Sequence, residues 1–175
     1  MKRTKKLTAL SILTAASLCV FVLEAQLPPL VPVPGVKLGL SNIFTLFAYD
    51  MLGASAALAL LVIRICLGSV ITGHISALGY SLCGGLLSYI VLRLLHRKFP
   101  AGQFWVLSIL CAIGHNLGQI LLAVFIMGSH MILWYFPALI LSALITGAFT
   151  GLSCQLVLRR LKENRLFERN TQNRR

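Results

Sequence analysis

Charge is scarce in this sequence, and negative charge is scarcer still. Of 175 residues only 11% are Asp, Glu, Lys or Arg, and only four are acidic. A soluble domain carries about 25% charged residues, so a water-soluble globular enzyme of this length is excluded. Two of the four carboxylates, Glu163 and Glu168, sit near the C-terminus, and Asp50 stands alone. No aspartate-rich pair is available to hold magnesium for diphosphate chemistry. A G-x-x-x-x-G-K-[ST] loop is absent, so the chain does not hydrolyse nucleotides by itself. Five cysteines (Cys19, Cys66, Cys83, Cys111, Cys154) lie far apart in apolar runs without a C-x-x-C pair, which opposes a disulfide frame or a zinc site and makes them small buried residues. The histidines His74, His96, His115 and His130 are too scattered for a metal cluster. No Ser/His/Asp set falls at one depth. These absences predict no catalytic residues, no metal and no cofactor.

Apolar residues are what the sequence has in abundance: 58% of the chain, with a mean hydropathy of +0.87. A disordered chain needs low hydrophobicity, so the remaining class is an all-α integral membrane protein. At about 20 residues per span, 175 residues hold at most about six or seven crossings. The net charge of +12 is confined to three short pieces: Lys2, Arg3, Lys5 and Lys6; Arg93, Arg97 and Lys98; and seven cations from Arg159 onward. Basic pieces flanking apolar runs are the positive-inside pattern of a multi-pass protein, not a nucleic-acid surface, so no nucleic acid is expected as a partner. The lipid bilayer is.

The apolar runs are 7–27, 38–63, 65–92, 103–127 and 131–158. Five crossings starting from a cytoplasmic N-terminus would leave the second and third basic pieces outside. A sixth crossing before residue 93 repairs both faults. Asp50 and Gly53 mark the break, giving spans at 7–27, 38–51, 54–72, 76–93, 103–127 and 133–158. The first run is longer than the ~7–15 apolar residues of a cleaved leader and has no small residue ahead of its Glu24-Ala25 step, so it reads as a retained span. The second span is about 21 Å long at 1.5 Å per residue, shorter than the ~30 Å hydrocarbon core. It therefore thins the bilayer or sits inside the bundle. Residues 7–160 form one membrane domain between a basic segment 1–6 and a basic tail 161–175. Both termini face the cytoplasm of a bacterial plasma membrane.

Helices in lipid associate through small residues that let backbones approach. Ala143, Gly147 and Gly151 supply such a face on the sixth span, Gly84, Gly85 and Ser88 on the fourth, and Ser11, Ala15 and Cys19 on the first. The last stripe is a candidate docking face for another membrane subunit. An ionisable side chain at membrane depth costs about 2.5–3.5 kcal/mol on insertion scales, which makes it a site hypothesis by default. Arg64 and His115 lie near mid-span, Gln119 is one turn beyond His115 on the same face, and Asn116 is adjacent. Asn42 and Tyr80 lie in the outer parts of the second and fourth spans. Polar groups converge on the middle and outer half of the bundle, which predicts a cavity open to the outside. Glu24 and Asp50 fall near opposite faces by the same count, away from Arg64. The proline-rich segment 28–37 follows the first span on the outside as a stiff connector or a lid. It ends on Lys37, a basic residue suited to facing an anion.

Residues 32–46 read P-V-P-G-V-K-L-G-L-S-N-I-F-T-L. The run resembles the P-x-P-G-[IV]-K-[IL]-G-L-[AS]-N-[IL]-x-T-L signature of the Gx transporter family, also labelled heptaprenyl diphosphate synthase component I. L-V-I-R-I-C-L-G-S at 61–69, S-L-C-G-G at 81–85 and H-N-L-G-Q at 115–119 are similar to its further motifs. The similarity covers about residues 7–160. It implies a six-transmembrane-helix bundle resembling the substrate-binding S component of an energy-coupling factor transporter. Such a subunit binds a vitamin-like small molecule and relies on a separate membrane coupling subunit and cytoplasmic ATPases. The implied ligand contacts are Lys37, Asn42, Arg64, Tyr80, His115, Asn116 and Gln119, and the implied docking face is Ser11, Ala15 and Cys19. The alternative is a non-catalytic membrane partner in isoprenoid or quinone metabolism, or in membrane electron transfer.

Overall fold

The computed structural model describes residues 3–27, 37–73 and 75–172. The proline-rich segment 28–36 and the extreme termini, on which the lid and part of the terminal-charge expectations fall, lie outside the described residues. Six α-helices follow in order: α1 (Arg3–Ala25), α2 (Asn42–Leu52), α3 (Ala54–Thr72), α4 (Ile75–Leu95), α5 (Phe104–Met127) and α6 (Phe136–Gln172). Short 3-10 turns at Ala101–Gln103 and His130–Tyr135 lead into α5 and α6, and there is no strand among the described residues.

Five helices are long and apolar enough to cross a bilayer; the exception is α2. Its eleven residues reach only about 16 Å at 1.5 Å per residue. The expected second span at 38–51 is therefore shortened at its start. Residues 37–41 are not helical, and α2 opens only at Asn42. A single residue, Gly53, separates α2 from α3. Its φ of +93° is open to glycine and costly for other residues, and it turns the two helices into an antiparallel hairpin. Ala48 and Ala57, both fully buried, meet across this hairpin. α2 packs against every other helix, so the short helix is the centre of the bundle rather than an edge.

Small residues set the close crossings, as the lipid argument requires. A Cβ on Gly147 would stand 2.6 Å from the Ile109 Cα, and one on Gly151 2.5 Å from the Trp105 Cα. The α6 glycines thus rest directly on the α5 backbone. A Cβ on Gly118 would stand 2.6 Å from the Cys83 carbonyl oxygen, which closes α5 on α4. A hydrogen bond of 2.9 Å between the Ser108 and Thr150 hydroxyls and one of 2.8 Å from Asn116 Nδ2 to the Leu139 carbonyl tie α5 to α6.

The opposite helix faces are apolar and exposed: Val70, Ile71, Ile75, Phe125, Leu141, Ile145 and Phe149 all point outward. A belt of this kind is unusual on a soluble monomer and natural in hydrocarbon. Trp134, 85% exposed, stands at the end of the bundle where an interfacial aromatic belongs. Cys111 and Cys154 are buried as expected, whereas Cys19 and Cys66 lie on exposed faces. They occupy the outward sides of α1 and α3, where a small apolar residue meets no steric demand. α6 runs on without a break into the basic tail, with Arg159 Nε donating to Glu163 at 3.0 Å one turn later.

Candidate functional site

The α2–α3 hairpin places the first pair of site residues. Asn42 and Arg64 are equally distant along the chain from Gly53, so folding at that residue brings them face to face. Arg64 Nη2 donates to Asn42 Oδ1 at 3.0 Å. Arg64 is 1% exposed, the largest fully buried side chain in the protein's described part. Its Nε and Nη1 have no hydrogen-bond partner.

α1 contributes the face that carries Ser17, Phe21 and Glu24, spaced i, i+4, i+7 as one helical stripe. Gly68 of α3 makes room for the Phe21 ring; a Cβ there would lie 2.3 Å from Phe21 Cδ1. Two cations share this ring. Lys37 Nζ sits 3.9 Å from its centroid and Arg64 Cζ 6.0 Å, both within cation–π range. Glu24, 5% exposed, accepts hydrogen bonds from the backbone N–H of Gly39 and, at 3.5 Å, of Ser41. Its carboxyl group also stands at the start of α2, where the helix dipole favours an anion.

α5 supplies His115 and Gln119 from one face. With its amide turned so that both ends are satisfied, Gln119 donates to the Lys37 carbonyl at 3.1 Å and accepts from the Lys37 N–H at 3.2 Å. The same oxygen accepts from His115 Nε2 at 3.1 Å. This pairing fixes the end of the proline-rich segment against the membrane domain. It also places a proton on His115 Nε2. Gly39 fits between these groups because its φ is +77° and a Cβ would lie 2.9 Å from Asn42 Nδ2 and 3.0 Å from His115 Cδ2. Gly84 of α4 lets His115 and Gln119 approach; a Cβ there would stand 2.7 Å from the His115 carbonyl oxygen and 2.8 Å from Gln119 Cγ.

Five of the residues marked from the sequence therefore come together: Lys37, Asn42, Arg64, His115 and Gln119. Two do not. Asn116 is rotated about 100° from His115 on the helix, and its amide goes to α6 through Leu139. Tyr80 packs in an apolar cluster with Ile120, Ala123, Ile132 and Leu139. Glu24 is the principal residue that depth counting left out, and Phe21 and Ser81 join it in lining the cavity. The stripe of Ser11, Ala15 and Cys19 is exposed along α1, on the side away from Phe21 and Glu24.

Among the described residues the cluster surrounds a small space that is partly open. The space between Phe21, Glu24, Lys37, Arg64, Ser81 and His115 offers about 10 Å³ to the centre of a water molecule, room for about one water. The side chains have closed on one another because Gln119 holds Lys37 and the hairpin holds Arg64. Burial, opposed by Glu24 and aided by Arg64, pushes the Lys37 ammonium below its usual pKa of 10.5. Among the described residues no group of three or more His, Cys, Asp or Glu could hold a metal ion.

Apolar helices of spanning length, packed by glycine contacts around a buried polar cluster, define a multi-pass membrane protein. The chain belongs to the heptaprenyl diphosphate synthase component I family, whose sequence model matches residues 13–157. The family takes its name from one component of a synthase. No curated protein and no solved structure gives a significant match.

Proposed function

We propose that the protein is the substrate-binding membrane subunit of a bacterial small-molecule importer, built like the S component of an energy-coupling factor transporter. The observation that carries this reading is Arg64. A fully buried guanidinium with two unpartnered nitrogens, in the middle of a spanning helix, is costly unless it serves a ligand or a relay. Lys37, Asn42, His115 and Gln119 surround it and form the binding site, with Glu24 added from α1. Tyr80 and Asn116 then act in packing rather than in contact with ligand. α2 is the sixth, shortened crossing, tolerated because it is enclosed by protein. Both termini face the cytoplasm, which keeps all three basic pieces on the positive side. Ser11, Ala15 and Cys19 form the face for a membrane coupling subunit, and cytoplasmic ATPases supply the energy.

The family name favours a second reading, a non-catalytic membrane partner of a prenyl diphosphate synthase. The two readings differ in what accompanies the protein. Mild purification from the native membrane, followed by mass spectrometry of proteins and small molecules, separates them. The importer reading expects a small polar molecule together with a coupling subunit and ATPases. A soluble prenyl synthase without any such molecule overturns it in favour of the second. Labelling that finds the C-terminal tail outside the cell removes the six-span arrangement under either reading.

A further inference from the structure

The cluster is unbalanced in both charge and hydrogen bonding. Lys37 and Arg64 bring two positive charges, and Glu24 is the single carboxylate set against them. Glu24 is already engaged by the Gly39 and Ser41 backbone N–H groups, and it makes no ion pair with either cation within hydrogen-bonding range. The buried polar atoms left over are mostly donors: Arg64 Nε and Nη1, Lys37 Nζ and Asn42 Nδ2. Arg64 and Lys37 reach the cavity from different directions, one from α3 and the other from the stretch before α2, and both line its wall. Ser81 Oγ, also without a partner, lines the same wall and can donate or accept. A neutral amide or hydroxyl ligand would bring acceptors and donors in comparable number and leave the extra positive charge uncompensated. Buried donors without acceptors are expensive, and a guanidinium fork matches an oxyanion in geometry.

We infer that the site, which as it stands has room for about one water and must widen by side-chain movement to admit a ligand, takes a singly charged oxyanion, held by Arg64 and Lys37 with Asn42 beside them, while Glu24 organises the site without touching the ligand. A carboxylate on a free small molecule and the phosphodiester of a lipid headgroup share this chemistry. A diphosphate carries more charge than the excess the residues provide. The inference rests on the reading of this cluster as a small-molecule site.

The test uses the full-length chain, delipidated in maltoside micelles, with thermal unfolding as readout. Sodium acetate is compared with sodium chloride at equal ionic strength, with acetamide as the uncharged control. Separate arms contain dioleoyl phosphatidylglycerol and inorganic pyrophosphate. Acetate should raise the unfolding temperature saturably, and acetamide should not. Half-saturation should move up by roughly 10–100-fold in Arg64→Gln, as expected for losing a charge-assisted hydrogen bond. Lys37→Gln provides the same reading should Arg64→Gln fail to fold. A shift with phosphatidylglycerol alone assigns the anion to a lipid headgroup and keeps the oxyanion chemistry. Absence of any anion-specific shift, or a shift unchanged in Lys37→Gln, overturns the inference. So does pyrophosphate binding more tightly than acetate. An uncharged small molecule found with the purified protein would overturn the anion assignment while leaving the importer reading intact.

Discussion

Replacing Glu24 by Gln is the sharpest perturbation of the buried cluster. The substitution keeps the size of the side chain and removes its charge. Two consequences follow from the geometry. The amide nitrogen that replaces one carboxylate oxygen faces a backbone N–H, at Gly39 or Ser41, and donor then meets donor. Lys37 and Arg64 also lose the one acidic group that offsets them. A hydrogen bond to a charged group contributes about 1.5–3 kcal/mol, and stripping one partner from buried charges costs about 3–5 kcal/mol. These overlap and are not additive, so the expected loss is about 3–5 kcal/mol. The assay is unfolding in mixed micelles of a mild and a denaturing detergent, followed by tryptophan fluorescence. Adding Lys37→Gln to Glu24→Gln should recover part of the loss, because one of the two uncompensated cations is gone. A coupling of at least about 1 kcal/mol is expected for groups in contact through one network. Acetate should also restore stability to Glu24→Gln more than to the parent. A single-variant cost below about 0.5 kcal/mol, the usual range for surface changes, would mean that Glu24 does not offset the two cations. So would strict additivity of the two substitutions.

Other consequences are open to similar measurements. Gly118→Ala places a Cβ 2.6 Å from the Cys83 carbonyl oxygen and 2.8 Å from the Gly84 Cα. Overpacking of this kind costs about 1–3 kcal/mol, whereas Gly102→Ala, with nothing within 4 Å, should leave the unfolding midpoint unchanged. Asn116→Ala removes the 2.8 Å bond to Leu139 and should cost about 1 kcal/mol, within the range measured for interhelical bonds in membranes. It should not alter the response to acetate, since the side chain faces α6. The Lys37 ammonium is surrounded by Glu24 of α1, Arg64 of α3 and His115 of α5, and its pKa lies below 10.5 because of burial. Acetate binding should therefore weaken as pH rises through that lowered value, before 10.5 is reached, and the alkaline loss should be smaller in Lys37→Gln. The sign for stability is opposite: the folded state releases this proton more readily than the unfolded chain, so stability without ligand gains between the lowered pKa and 10.5.

Much of the frame can be read from residue order. Hydropathy alone marks the spanning helices, and glycine and aspartate at 50–53 locate the hairpin turn. The glycine faces of α4, α5 and α6 follow from backbone contact in lipid. Counting depth along straight helices brings Arg64, His115 and Gln119 to the middle of the bundle and Asn42 to its outer half. The same counting misplaced Glu24, because it assumed a span running on to residue 27 with polar ends in water. Instead the chain from 37 to 41 folds inward, and its N–H groups reach the Glu24 carboxylate. The i, i+4, i+7 stripe of Ser17, Phe21 and Glu24 was the available signal, opposite the exposed Ser11, Ala15 and Cys19. Depth without azimuth also explains Asn116 and Tyr80, which lie in the middle and outer half of the bundle and point elsewhere. The clasp of Gln119 on the Lys37 backbone could not be foreseen, since it joins residues far apart in sequence.

Arg64, buried in the middle of α3, is proposed to hold a small molecule there. Native mass spectrometry of the gently purified chain, beside Arg64→Gln prepared in the same way, tests this. A bound small-molecule adduct is expected on the parent, lost or strongly depleted in the variant. A parent chain free of any adduct, or an adduct equally occupied in both, would contradict it.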